Sequence, residues 1–338
     1  MGVDGAIFYT VLGRIIQAGG GIASILFIAR YLTKMEQGYY YTFGSILAIQ
    51  IFFELGLSTI ITQFVAHEKT NLQWEGNINL VGDEKSLSRI ASLLHFCVKW
   101  FSVIAIILIV ALLISGYLFF TRYGKGNNDV EWEIPWIILS IITATNLMTS
   151  PILAFLEGLG KVKEVAKIRL FQQFIQLICL LSFLILGLNL LSSPLAAALT
   201  SIIPICWIFY SYKKQLLKNI WNKLGEIKVN YKLEIFPYQW RIALSWMSGY
   251  FMYQLFNPVV FATEGAIVAG QMGMTLAALN GIFSISISWI NTKIPLFSNL
   301  IANKDFRKLD LIFNQTLKQA SFVCFLCLFF FYYYSFYL

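Results

Sequence analysis

The stretch FSVIAIILIVALLISGYLFF, residues 101–120, decides the class of this protein because none of its residues is charged. A helix of about 20 apolar residues spans the hydrocarbon core of a bilayer. The whole chain follows the same pattern, since 58% of its residues are hydrophobic and only 12% are charged. A soluble domain carries roughly twice that charged fraction. The sequence therefore predicts an all-α integral membrane protein.

Apolar runs of similar length recur along the chain and are separated by short polar segments. The longest of these segments, 66–92 and 213–241, are too short to hold an inserted soluble domain. We expect about nine transmembrane helices, near residues 7–29, 39–65, 93–120, 134–156, 168–188, 194–212, 242–262, 266–291 and 319–338.

The basic residues are distributed unequally between the two sides that nine spans define. The loops after helices two, four, six and eight contain Lys69, Lys85, Arg89, Lys161, Lys163, Lys167, Arg169, Lys213, Lys214, Lys218, Lys223, Lys228, Lys232, Arg241, Lys304, Arg307, Lys308 and Lys318. The opposite side contains only Arg30, Lys34, Arg122 and Lys125. This bias predicts a cytoplasmic N-terminus. The net charge of +8 is then explained by attraction to anionic lipid and not by nucleic-acid binding.

No residue pattern indicates a metal or cofactor site. The five cysteines lie in apolar stretches, where a thiol usually acts as a small hydrophobic group. Cys324 and Cys327 have the spacing of a CxxC pair, but no second Cys or His pair accompanies them. Gly158-Leu159-Gly160-Lys161 lacks the spacing and the Ser or Thr of a phosphate-binding loop. We therefore expect no ATP site, no metal and no cofactor.

Residues 28–66 and 259–302 form a weak internal repeat. Each segment ends one helix, turns at glycine and begins another long helix; the turns lie at Gly38 and around Gly265 and Gly270. Many transporters consist of two equivalent helix bundles. The repeat predicts a six-helix N-terminal lobe over 1–212, a basic cytoplasmic linker over 213–241 and the first three helices of a second lobe over 242–338.

Several loose motifs carry a family resemblance. They are Phe52-Phe53-Glu54-Leu55-Gly56-Leu57, the segment Gln63-Phe64-Val65-Ala66-His67-Glu68, Glu157-Gly158-Leu159-Gly160-Lys161, PYQWRIALSWMSGYFMYQLFNPVVF at 237–261 and AGQMGMT at 269–275. With these motifs the chain resembles the polysaccharide-transporter (O-antigen flippase) branch of the multidrug/oligosaccharidyl-lipid/polysaccharide exporter superfamily. The resemblance covers most of the chain.

The resemblance implies two six-helix lobes around a central cavity. It also implies alternating-access flipping of undecaprenyl-pyrophosphate-linked oligosaccharide across the bacterial inner membrane, for the synthesis of surface polysaccharide. Polysaccharide polymerase and glycosyltransferases are the implied protein partners. Because only three helices of the second lobe are predicted, we expect a fragment of a longer protein in preference to a shortened relative that must pair.

Charged residues inside a membrane are costly, and they usually have a function. Arg14 lies about two turns inside the first helix, with Gln17 on the same face, and a guanidinium suits the oxygens of a pyrophosphate. Snorkelling of Arg14 to the headgroups is the alternative. Glu54 has no obvious local partner at i±3 or i±4, so it either carries a coupling proton or pairs with Arg14. Lys293 either contacts the carrier phosphate or snorkels.

The seventh helix contains further candidates for binding substrate. Arg241 lies at its start beside aromatic residues that suit a sugar, although anchoring at the interface is equally compatible. Gln254, Asn257 and Pro258 interrupt the helix near the middle of the membrane, and interrupted helices often line a substrate site. A simple packing kink is the alternative.

Three other functions compete with flipping. A drug or small-solute exporter of the same fold predicts a more acidic cavity, because its usual substrates are cations. A membrane glycosyltransferase or polymerase needs catalytic groups on a sizeable external loop, and only Asp129, Glu131 and Glu133 lie in the short loop available. We therefore do not expect an enzyme. A membrane scaffold without transport activity is the third alternative.

Overall fold

A computed structural model describes residues 5–124, 130–291, 293, 296–297, 300–301 and 304–335. In these ranges, seven helices are long and apolar enough to cross a membrane, or up to eight if one bent pair counts as a single span. The prediction of an all-α membrane protein is confirmed. The predicted nine spans are not reached in this part of the chain. Lys125, Asp129 and residues 336–338 lie outside the described residues.

The helices and strands follow one another with short connections. The helices are α1 (Gly5–Tyr31), α2 (Lys34–Leu47), α3 (Ile51–Glu54), α4 (Leu57–Lys69), α5 (Glu84–Tyr123), α6 (Glu133–Gly158), α7 (Val162–Ile185), α8 (Ser192–Tyr210), α9 (Lys213–Trp221), α10 (Phe236–Tyr253), α11 (Phe256–Glu264), α12 (Ala266–Asn291) and α13 (Phe306–Ser335). The strands are β1 (Leu72–Glu75) and β2 (Asn79–Gly82). Short 3₁₀ turns cover Ala48–Gln50 and Asn189–Leu191, and a π-helical turn covers Tyr231–Ile235.

The second predicted helix, 39–65, is not continuous. The chain turns at Leu55 and Gly56, whose φ angles of 50° and 68° are left-handed, and the flanking helices bend by 40°. A Cβ at Gly56 would overlap the side chain of Ile242 in α10. The backbone conformation and the close contact both favour glycine at this position.

The seventh predicted helix, 242–262, is also divided. Helix α10 ends at Tyr253, and α11 begins at Phe256, so the interruption predicted at Gln254, Asn257 and Pro258 lies at Gln254 and Leu255. Asn257 and Pro258 are in the first turn of α11, where a proline is tolerated. The two parts are too short or too polar to count among the candidate spans, which explains part of the difference from nine. The two interrupted helices pack together, because the ring of Phe52 lies 5.0 Å from that of Tyr250.

Helix α5 begins nine residues before the predicted start of its span. Its 40 residues correspond to about 60 Å, roughly twice the hydrocarbon thickness of a bilayer. The extra turns are fixed by hydrogen bonds to the linker: the Ser88 hydroxyl donates to the carbonyl oxygen of Ile227 (2.6 Å), and Ser92 accepts from the amide of Val229 (3.1 Å). This end of α5 therefore projects beyond the apolar core.

The segment that precedes α5 was predicted as a plain loop and contains a small antiparallel hairpin. Leu72 is opposite Gly82 and Glu75 is opposite Asn79, so the two strands pair along their full length. The side chains of Leu72 and Leu80 are buried beneath the hairpin. The hairpin thus adds a β element to the predicted all-α fold, outside the long apolar helices.

Three of the loops that the sequence predicts on one side of the membrane, those after the second, fourth and sixth predicted helices, lie together at one end of the protein. The side-chain amide of Asn219 in α9 donates to Asn79 in the hairpin (2.7 Å), and Arg89 bridges Glu68 and Glu234. At the other end, aromatic rings from α2, α5, α6 and α11 form a cluster that comprises Tyr39, Phe43, Phe120, Trp136 and Phe261. We call these the basic-loop end and the aromatic end.

Candidate functional site

A cavity of about 350 Å³ lies between α2, α12 and the break that separates α10 from α11. None of the described residues that line it carries a charge. Its polar side chains are those of Tyr40, Tyr41, Ser45, Ser193, Tyr253, Gln254, Asn257 and Asn280. The cavity therefore offers hydroxyl and amide groups, together with aromatic faces, to a bound molecule.

The two principal walls of the cavity meet at glycine near the start of each helix. A Cβ at Gly38 of α2 would overlap the carbonyl oxygen of Ala266, and a Cβ at Gly270 of α12 would lie 2.9 Å from the amide nitrogen of Gly38. The helix backbones are in direct contact here, as in other membrane helix pairs with small residues at the interface. The contact continues at Gly273, where a Cβ would overlap the side chain of Tyr41, whereas a Cβ at Gly44 would meet nothing within 4 Å. Ser45 and Ala277, further along the two helices, both line the cavity.

The contact between α2 and α12 is reciprocal. Gly38 and Gly270 are each the fifth residue of their helix, and Lys34 and Ala266 are each the first. Gly38 meets Ala266, and a Cβ at Gly270 would lie 3.2 Å from the carbonyl oxygen of Lys34. Exchange of equivalent positions is the pattern of contacts around a two-fold axis. The two segments of the predicted repeat therefore pack against each other in a nearly symmetric way.

Asn257 holds three helices together beside the cavity. Its side chain is 2% exposed. With the amide oriented to suit its neighbours, its nitrogen donates to the carbonyl oxygen of Ala269 (2.9 Å) and its oxygen accepts from the amide of Thr42 (3.1 Å). These bonds link α11 to α2 and α12. Asn257 therefore has a structural role in the cavity wall. Gln254 lies at the helix break, where its backbone amide donates to the carbonyl oxygen of Tyr250 (2.9 Å).

Two tyrosines of α2 add polar groups to the same wall. Tyr40 lines the cavity together with Ser193, the second residue of α8. The hydroxyl of Tyr41 is buried, and no described residue hydrogen-bonds to it. The hydroxyl of Ser192, next to Ser193, is in the same situation. Buried groups of this kind usually have a partner, so these hydroxyls are available to a ligand or to water.

The predicted cationic residues do not meet at this cavity. Arg14 and Gln17 lie on the exposed surface of α1, beside the face that packs on α7 through Gly13 and Gly20. They are not among the residues that line the cavity. Their contact with a pyrophosphate stays a prediction, and it would have to form on the exposed surface of α1, outside the cavity.

The other two predicted cations are exposed and distant from the cavity lining. The guanidinium of Arg241 lies 5.6 Å from the ring of the neighbouring Trp240, and Lys293 lies in a turn after α12. Neither residue lines the cavity. Of the six residues predicted to bind substrate, the structure thus brings together only Gln254 and Asn257.

Glu54 is half-buried at the end of α3, directly before the break. Ser58, four residues later, donates a hydrogen bond to its carboxylate (2.6 Å) and lies 3.2 Å from Ser150 of α6. The prediction that Glu54 lacks a partner at i+4 is therefore wrong. The ion pairs of the described residues do not include Glu54 with Arg14. The carboxyl group of Glu54 is thus bonded to a serine hydroxyl, which contacts a second serine, and not to a cation.

Sequence reasoning missed most of the polar side chains of the cavity. Tyr40, Tyr41, Ser193 and Asn280 were not among the candidates, because uncharged polar side chains are common in membrane helices, where they usually bond neighbouring helices. The available signal was the position of polar groups in the two segments of the repeat. Comparison of the chain with protein-family models, with curated proteins and with solved structures found no match.

Proposed function

We propose that this protein flips an undecaprenyl-pyrophosphate-linked oligosaccharide across the bacterial inner membrane by alternating access. The observation that carries the proposal is the uncharged polar cavity between α2 and α12. Its volume of about 350 Å³ lies within the usual range for ligand sites, roughly 300–1,000 Å³. The family resemblance of the sequence supplies the substrate class.

The chemistry of the cavity suits a sugar. A pyranose ring has hydroxyl groups around its edge and apolar C–H groups on its faces. The tyrosine rings of the cavity match the apolar faces, and Gln254, Asn280 and the hydroxyl of Tyr41 match the sugar hydroxyls. Burial of a sugar hydroxyl costs free energy unless a partner is present. A wall of amides and hydroxyls removes this cost without attracting ions.

The reciprocal contact at Gly38 and Gly270 supports a two-lobe arrangement. Lobes of 1–212 and 242–338, joined by a basic cytoplasmic linker over 213–241, would place the repeated helices on the two sides of one cavity. Rocking of such lobes about a shared contact is the usual route to alternating access. The clustering of the basic loops at one end supports a cytoplasmic N-terminus.

The competing functions find less support at the cavity. A cation exporter would use carboxylates there, and none of the described lining residues is acidic. A glycosyltransferase would need acidic groups beside its substrate; Glu131 and Glu133 lie outside the cavity lining, and Asp129 lies outside the described residues. Transport without an enzymatic step fits the cavity better. Arg14, Gln17, Arg241 and Lys293 stay predicted contacts for the pyrophosphate of the carrier.

Complementation of a bacterium that lacks its O-antigen flippase tests this proposal. We express the chain and a version extended through any downstream reading frame, and expect at least one of them to restore surface polysaccharide. Gln254→Ala or Asn280→Ala in the active version should abolish the restoration at an equal amount of protein in the membrane. Gln215→Ala is the matched control, because Gln215 is exposed on α9 and bonds only to Asn219 among the described residues. Restoration by the extended version alone would identify the chain as a fragment. Absence of restoration by both versions, or full activity of both cavity variants, would refute the proposal.

A further inference from the structure

A second polar site lies at the basic-loop end, around Lys161. This residue directly precedes α7 and follows Gly160, whose φ of 89° turns the chain. The ammonium group of Lys161 lies 4.4 Å from the ring centroid of Trp74 in the hairpin and 5.4 Å from that of Tyr212 between α8 and α9. Lys161 is therefore held where three connecting segments meet.

Lys69 brings a second ammonium group to the same place. Its nitrogen lies 5.9 Å from the ring centroid of Trp74, and it would lie only 2.6 Å from a Cβ built at Gly160. The absence of a side chain at Gly160 thus allows the end of Lys69 to rest on the turn beside Lys161. Two like charges share one indole and one turn, an arrangement that an anion would stabilise.

Neighbouring carboxylates neutralise this pair of charges only in part. The ion pairs formed by the described residues include neither Lys69 nor Lys161. Glu164 attracts Lys161 through space, but its carboxylate is bound to Lys213 and accepts a hydrogen bond from the hydroxyl of Tyr212 (2.7 Å). Glu68 and Glu157 are paired with arginines. Aromatic rings attract a cation but do not cancel its charge.

The position of the cluster along the helices indicates its ligand. Lys69 ends α4, the second part of the bent pair, while Lys161 precedes α7 and Tyr212 follows α8. The cluster therefore lies where two long apolar helices and the bent pair meet their polar loops. Tryptophan and tyrosine are enriched at this depth, which is the depth of the lipid headgroups. A headgroup phosphate offers oxygen acceptors to two ammonium groups that have only donors.

We propose that Lys69 and Lys161, framed by Trp74 and Tyr212, bind the phosphate of an anionic phospholipid headgroup. This site is separate from the cavity and independent of the sugar substrate. The two ammonium groups bind the phosphate oxygens, and the aromatic rings hold the lysine side chains in place. The acyl chains then lie along the apolar surfaces of the adjoining helices.

Native mass spectrometry of the detergent-purified protein tests the site, with phosphatidylglycerol as the probe. We expect Lys69→Gln combined with Lys161→Gln to weaken binding about 30-fold. The matched control is Lys223→Gln combined with Lys228→Gln, which removes the same charge from exposed linker positions and leaves binding within about threefold of the original. Unchanged melting temperatures of both variants without lipid would verify their folding.

Two further ligands show whether the bound phosphate belongs to a lipid headgroup. Phosphatidylcholine is expected to bind more weakly than phosphatidylglycerol, because its choline group opposes the two lysines. Equal losses in the site and control variants would reduce the effect to general charge attraction and overturn the proposal. Saturation of the site by inorganic phosphate alone at the same concentration would overturn its assignment to a lipid.

Discussion

Replacement of Arg89 by methionine is expected to destabilise the basic-loop end of the protein. The Nε atom of Arg89 lies 2.8 Å from Glu68 of α4, and the terminal nitrogens bind both oxygens of Glu234, in the π-helical turn before α10. The guanidinium therefore joins the first helices of the chain to the start of the last ones. Methionine keeps most of the side-chain volume and removes the charge.

The expected loss of unfolding free energy depends on how exposed the two carboxylates are. The side chain of Glu68 is only 9% exposed and that of Glu234 is 31% exposed. Loss of Arg89 leaves the buried Glu68 without its counter-charge, which costs about 3 kcal/mol. Glu234→Gln removes only the more exposed partner and costs about 1 kcal/mol. Arg89→Met combined with Glu68→Gln should recover most of the loss, because the buried charge is then absent.

The thiol of Cys97 provides the assay. Cys97 is fully buried in α5, about two turns from Arg89, so it reacts with a thiol-specific dye only after unfolding. The other four cysteines are replaced in all variants, and the free energy of unfolding in detergent is measured by dye labelling. A cost for Arg89→Met no greater than that for Glu234→Gln would refute the reasoning, as would an additive loss in the double variant.

Three more predictions use the same assay. Gly38→Ala should cost about 2 kcal/mol, because the new Cβ meets backbone that cannot move aside; Gly44→Ala, with open space around it, is the control and should be neutral. Gly56→Ala should cost about 1 kcal/mol from its left-handed φ alone. An unchanged stability would contradict the left-handed turn between α3 and α4. The hydrogen bond from Arg89 lowers the pKa of Glu234 below its ordinary 4.5, so its stabilisation is full above pH 4.5 and disappears as the pH falls through the lower folded value. The difference in stability from Glu234→Gln should therefore vanish in acid, and a difference that persists or grows there would show that the ion pair is not its source.

Hydropathy predicts most of the long helices because the membrane imposes both their length and their composition. The predicted spans 134–156 and 266–291 lie within or coincide with Glu133–Gly158 and Ala266–Asn291. Hydropathy does not predict where a helix ends once it leaves the apolar core. The start of α5 at Glu84 has a local signal, since Asp83 caps it by accepting a hydrogen bond from the amide of Ser86 (2.9 Å). No local pattern contains the contacts that hold this extension, in which Ser88 donates to Ile227 and Ser92 accepts from Val229.

The candidate site was predicted only where a polar group interrupts an apolar run. Gln254 and Asn257 stand out beside a proline, and both line the cavity. Arg14 stands out in the same way but lies on the exposed surface of α1. The rotation of a membrane helix depends on its neighbours, and an almost uniformly apolar helix such as α1 has no polar face to define it. Leu55 shows a similar limit, since a left-handed leucine has no sequence signal.

The length of α5 limits how the last helices can move. Arg89 holds the segment before α10, and the ring of Phe120 contacts that of Phe261 in α11 (5.6 Å). These two attachments are separated along α5 by about 46 Å, a distance that a helix does not shorten or stretch appreciably. The α10–α11 pair is thus attached near both of its ends to α5, a single helix of fixed length. If α10 and α11 slid along α5, one of these contacts would break. A change of the angle between α10 and α11 at Gln254 and Leu255 would leave both contacts intact.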